Sequence, residues 1–156
     1  MDALIMKRMM VAVMLFLTSS IALGAGIEQP VSSGVRAYMA AKCISYAEIA
    51  GMVDSDPATY NKLTQTFTDN VAVYIENAQH GDFKTQALET TIPITWFGMV
   101  NGSRIDSKIL AGRLLEWTNM VETQRVADTF APGEGVVPES AGVAAFNNDN
   151  CILLVK

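Results

Sequence analysis

Residues 55–81 read SDPATYNKLTQTFTDNVAVYIENAQHG. This segment carries the strongest helix signal in the chain. Asp56 can cap the free amides of a first turn, and Pro57 is tolerated at the first helical position because its missing N–H would have no partner there. Tyr60, Leu63, Phe67, Val71, Tyr74 and Ala78 then recur at three and four residues, the spacing of one buried face. His80-Gly81 closes the helix, with Gly81 as a left-handed cap.

The flanks follow the same pattern. Before this helix, Ser32 or Ser33 can cap another that runs to about Val53, with Val35, Met39, Cys43, Tyr46, Ala50 and Val53 facing inward. Residues 26–33 read as a flexible leader. After it, residues 82–100 begin helical, but Thr90-Thr91-Ile92-Pro93 interrupts regular helix, since Pro93 lacks a donor and crowds the preceding turn. Helix is expected to resume through Trp96 and Phe97 and to close at Asn101-Gly102. A fourth helix runs from Ser103 or Asp106 to about Thr129, with Leu110, Leu114, Trp117 and Val121 inside. Gly112, unfavourable in a helix interior, suggests a close helix crossing. A turn-rich loop from Pro132 to Pro138 precedes a short fifth helix over 139–146. The last residues, Cys151 to Lys156, read as an extended apolar tail. The expected fold is all-α: an antiparallel bundle of about four main helices, a short fifth helix, and a C-terminal tail pinned by a disulfide.

Residues 1–25 read as a cleavable signal peptide. Lys7 and Arg8 supply positive charge, and an apolar run follows from Met9 to Leu17. Ala22 and Gly24 are small residues placed for cleavage before Ala25, and a cut after Ala25 serves nearly as well. The run falls short of the ~20 apolar residues of a spanning helix. Met6 offers an alternative start. The expected mature domain is residues 26–156, periplasmic or secreted, with no stable membrane anchor after cleavage.

That domain has nine basic and fifteen acidic residues. The basic ones are scattered, which argues against nucleic acid and against an anionic membrane surface. Cys43 and Cys151 form an even pair in an exported chain, so a disulfide is expected, closing a loop of about 108 residues. Two cysteines and the single His80 do not make a tetrahedral metal set, so no metal site is expected.

No catalytic motif stands out. The chain has no G-x-S-x-G, H-E-x-x-H, phosphate-binding glycine loop or C-x-x-C. His80 reads as a surface residue at a helix end, and no cofactor is implied. Asn101-Gly102-Ser103 matches a glycosylation sequon but also explains itself as a helix stop and cap. Arg113 and Glu116, three apart, can pair, and with Trp117 they form the most distinctive stretch. It can fix a helix crossing, and Arg and Trp are also residues that anchor interfaces.

The signal peptide, Cys43 with Tyr46-Ala47, Gly112-Arg113-Leu114-Leu115-Glu116 and Asn150-Cys151 together resemble a diffuse group of small exported proteins of Gram-negative bacteria with no assigned function. The resemblance implies a periplasmic address and a structural disulfide, and it transfers no catalytic residue. In architecture the chain is also similar to helical, disulfide-bearing immunity proteins that guard the periplasm against delivered hydrolases. The leading expectation is a non-enzymatic interaction protein with a protein partner. An inhibitor of a cell-wall hydrolase is the narrower alternative, with the loop bearing Glu134 and Glu139 as its inserting segment. A chaperone or small-ligand carrier would instead need a cavity near Pro93.

Overall fold

The structure is a computed structural model that describes residues 25–81 and 91–156. Most of the expected signal peptide, residues 1–24, and the first half of the third segment, 82–90, lie outside the described residues. The described elements are α1 (Ala25–Ile49), α2 (Met52–Ser55), α3 (Pro57–Gln79), α4 (Ile94–Val100), α5 (Ser107–Phe130), α6 (Glu139–Asn148) and a 3-10 turn over Cys151–Leu154. Among the described residues there is no strand. Among the described residues no helix is long and apolar enough to cross a membrane.

Helix α3 forms where its sequence places it. The Asp56 side chain accepts from the Thr59 backbone N–H at 3.2 Å, and Pro57 opens the helix. Leu63, Phe67, Val71, Tyr74 and Ala78 are buried as the spacing predicts, joined by Ile75. His80 is the C-cap, and Gly81 takes a positive φ.

Helix α1 is the hub, packing on α3, α5 and α6. Small residues let its neighbours come close, with Ala37, Ala40, Ala41 and Ala47 all fully buried. A Cβ on Gly34 would sit 2.7 Å from the Tyr74 ring, so α1 and α3 nearly touch there. That packing, with Ser33 also buried, carries the helix back through the residues expected as a flexible leader. Its other end falls short of Val53. Gly51 takes the left-handed conformation, breaks the helix, and leaves Val53 exposed on the single turn of α2.

Beyond Pro93 the chain resumes as α4, as expected, with Trp96 and Val100 buried. Trp96 meets Tyr38 edge-on with ring centres 5.4 Å apart, and its Nε1 donates to Thr118 Oγ1 at 3.0 Å. The segment that Pro93 opens therefore carries a packed aromatic cluster.

Helix α5 corrects the expected face. Its buried residues are Leu110, Leu114, Thr118, Glu122 and Val126, an unbroken spacing of four. Trp117 is only partly buried and Val121 is exposed. The polar Thr118 and Glu122 turn inward because donors from other helices meet them. Gly112 is exposed with open space around it, so it marks no crossing among the described helices. The close crossing lies instead at Gly142 of α6, where a Cβ would sit 2.6 Å from the Ala50 backbone nitrogen.

The terminal segment is a 3-10 turn rather than an extended tail. Asn150, at positive φ, reverses the chain after α6. Cys151 is bonded to Cys43 with 5.6 Å between Cα atoms, so the expected disulfide is present. The Leu154 and Val155 carbonyls accept from Thr66 and Lys62 of α3. Ile152 and Leu153 stay exposed.

Candidate functional site

Two features stand out above the packed core. The first is a polar cluster where α1, α5 and α6 converge. Glu122 of α5 is only 3 % exposed. Burying a carboxylate in this way is costly unless charge and hydrogen bonds compensate it. Here Arg125, one turn along, donates from Nε at 2.6 Å. Tyr46 of α1 donates its hydroxyl proton to Glu122 and in turn accepts from Arg125. Tyr38, two turns earlier on α1, reaches the other Glu122 oxygen at 3.5 Å.

Asp149, at the end of α6, completes the cluster. Its Oδ2 accepts from Lys42 at 2.7 Å and lies 3.4 Å from Arg125, and its Oδ1 accepts from Asn148. Two cations thus balance two carboxylates, and all four carboxylate oxygens are engaged. Burial would raise the Asp149 carboxyl, but the Lys42 ammonium outweighs it and holds the group below the usual carboxylate range. Burial, then the Glu122 charge, push the Tyr38 phenol up to about 12, and the Tyr46 phenol is raised for the same reasons. A shallow depression of about 220 Å³ beside the disulfide exposes one edge of the cluster, at Lys42 and Asp149. With its oxygens saturated and its charges matched, the arrangement is suited to clamping three helices together.

The second feature is the outer side of α5. Arg113, Glu116 and Trp117 line a shallow depression of about 340 Å³ with Met99 and Met120. A neighbouring depression of about 490 Å³ shares Glu116 and Met120 and reaches Val137 in the loop before α6. Met120 is 64 % exposed. Arg113 and Glu116, expected to pair with each other, form no ion pair among the described residues, although both stand on this face. The two depressions adjoin along Glu116 and Met120: Met99, Trp117 and Met120 supply the large apolar side chains, Asn119, Thr123 and Gln124 the neutral polar ones, and Arg113 and Glu116 one charge of each sign.

No family model, curated protein or solved structure matches this chain.

The other residues singled out from sequence are dispersed. Cys43 and Cys151 are buried beside the polar cluster. Glu134 is exposed in the 131–138 loop, while Glu139 opens α6 with its carboxylate against Gly51. Neither joins the α5 groove, which the loop touches only through Val137. Among the described residues, no three side chains of His, Cys, Asp or Glu type stand together as a metal set. Sequence reasoning missed Lys42, Tyr38, Tyr46, Glu122, Arg125 and Asp149 as a group. The one available signal was local, namely that Leu110 and Leu114 continue at a spacing of four to Thr118, Glu122 and Val126.

Proposed function

We propose that this chain is an exported, non-enzymatic interaction protein that binds a protein partner through the outer face of α5. The observation that carries the reading is the continuous groove built on Met120, Trp117 and Met99 between the free charges of Arg113 and Glu116. Exposed apolar surface of this kind is costly in water and marks contact sites. Methionines adapt to a partner's shape, and Trp with Arg supplies the anchors. The signal-like residues 1–25 and the Cys43–Cys151 bridge support export, since disulfides persist in oxidising compartments.

The scaffold reads as an antiparallel bundle. Support comes from contacts that join ends to beginnings: Glu48 with Tyr60, Gly34 with Tyr74, Gln79 with Ile105, and Ala50 with Gly142. On this reading the polar cluster and the disulfide hold the scaffold rigid while α5 presents the binding face.

A photoreactive residue in place of Met120, introduced in cells, tests the reading. Cross-linked adducts should form there and not at Asp69 on the exposed side of α3. Absence of any adduct at position 120 would remove the reading. Intact mass of the same material should begin at Ala25 or Gly26; retention of residues 1–24 would count against export.

The narrower reading, an inhibitor that inserts the loop from Ala131 to Ser140 into a cell-wall hydrolase, is favoured by one observation. Val136 is 81 % exposed beside Glu134. Replacing Val136 and Glu134 should abolish inhibition under that reading and leave the α5 adducts intact.

A further inference from the structure

Helix α5 carries an outward seam as well as an inward one. Ile109, Arg113, Glu116, Met120, Thr123 and Ala127 follow one another at alternate steps of four and three residues. That alternation keeps one line of side chains pointed at a second helix. Ile109 is 54 % exposed, and Met120 more so, which is unfavourable for large apolar side chains that no other described residue covers. Between them sits Gly112, with no atom within 4 Å of where its Cβ would be. Glycine weakens an exposed helix interior, and nothing among the described residues accounts for it.

We infer that the seam pairs with the same seam of a second copy of this chain, forming a two-fold dimer through antiparallel α5 helices. The inference rests on the reading of α5 as the interaction face. One register satisfies Ile109, Gly112, Arg113, Glu116 and Met120, while Thr123 and Ala127 extend past the end of the partner's α5. With the axis level with the peptide between residues 114 and 115, Arg113 faces the partner's Glu116 and Glu116 faces the partner's Arg113. The charges left unpaired within the chain thereby neutralise each other twice. In the same register Ile109 meets the partner's Met120. The missing side chain at Gly112 faces the partner's Trp117, so a small residue meets a large one and the two helices can approach closely. A two-fold interface must be self-complementary in this sense, each residue finding its counterpart by symmetry. Few surfaces are, and one carrying a single sign of charge would repel itself. The paired stretch from Ile109 to Met120 spans about three helical turns, so the dimer is weak and concentration-dependent.

Sedimentation velocity on the purified chain, with its disulfide intact, tests this over a concentration series that reaches the millimolar range. The mass should rise toward twice that of one chain. Arg113→Glu or Glu116→Arg alone should weaken association by about tenfold or more, because like charges then face each other. The double variant, with the charges exchanged, should recover wild-type association to within about threefold. Both positions are solvent-facing, and unchanged helical circular dichroism would verify that the variants fold. A one-chain mass throughout the series, or a double variant no better than the singles, overturns the dimer. The cross-linker at position 120 separates the two failures. Adducts only with a different protein overturn self-pairing and leave α5 as the interaction face, whereas absence of all adducts removes both.

Discussion

Glu122 concentrates the energetics of the fold in one carboxylate. Its charge is tolerated because Tyr46, Tyr38 and Arg125 donate to it from two helices. Tyr46→Phe removes a donor to a buried anion and leaves Arg125 with one acceptor fewer. The expected cost is about 1–3 kcal/mol, read as a lower urea midpoint at unchanged slope. The cluster also sets a pH window. An Asp149 carboxyl held low in the folded state contributes stability that is present above its unfolded pKa, about 4, and is lost as pH falls through the folded value. Tyr38 acts in the opposite direction. Its phenol ionises near 10 when unfolded and near 12 when folded, so its contribution is intact below pH 10 and lost as pH climbs toward 12. Urea midpoints measured against pH should show a plateau between these limits. Asp149→Asn should flatten the acid limb, and Tyr38→Phe should make the alkaline limb shallower. None of this was legible from α5 alone. After Leu114 the apolar Trp117 and Val121 offer as good a face as Thr118 and Glu122. The choice is made by Tyr38, Tyr46 and Trp96, which donate to Glu122 and Thr118 from far away in sequence and are near only once the chain has folded.

Helices are where the sequence spoke most clearly, and its errors there have a common cause. Helix α3 formed as read because its cap, its first proline, its stripe and its closing glycine all agree, and each acts within a few residues. Helix α1 departs from its sequence signals at both ends, through packing at Ser33 and Gly34 and through Gly51, whose left-handed backbone stops it short of Val53. The glycines invite a direct comparison. Gly142→Ala puts a methyl group 2.6 Å from the Ala50 nitrogen and 2.9 Å from the Ile49 carbonyl carbon, backbone atoms that cannot swing away. It should destabilise by about 1–3 kcal/mol. Gly112→Ala meets open space in the single chain and should stabilise by about 0.5–1 kcal/mol in dilute solution. Thermal melts at low concentration would measure both, and a stabilising Gly142→Ala would refute the close crossing of α1 and α6.

At the scale of the whole molecule the Cys43–Cys151 bridge matters most, and here an even pair of cysteines sufficed to foresee it. The polar cluster beside it drew on too many distant residues to be foreseen. Closing so long a loop restricts the unfolded chain, so reduction should lower the unfolding free energy by about 2–5 kcal/mol. Both sulfurs are buried, and a reductant should act slowly on the native protein and far faster in urea. Denaturation curves with and without reductant would measure the first effect, and thiol labelling over time the second. The bridge also imposes an order of events. Cys43 is synthesised 108 residues before its partner. At translation rates of about 5–20 residues per second it must wait roughly 5–20 s for Cys151 to be made. Throughout that interval it is a thiol with no correct partner anywhere in the growing chain. Closure of the bridge therefore reports that synthesis has passed Cys151, so the oxidised state marks a chain that already carries both of the segments it joins.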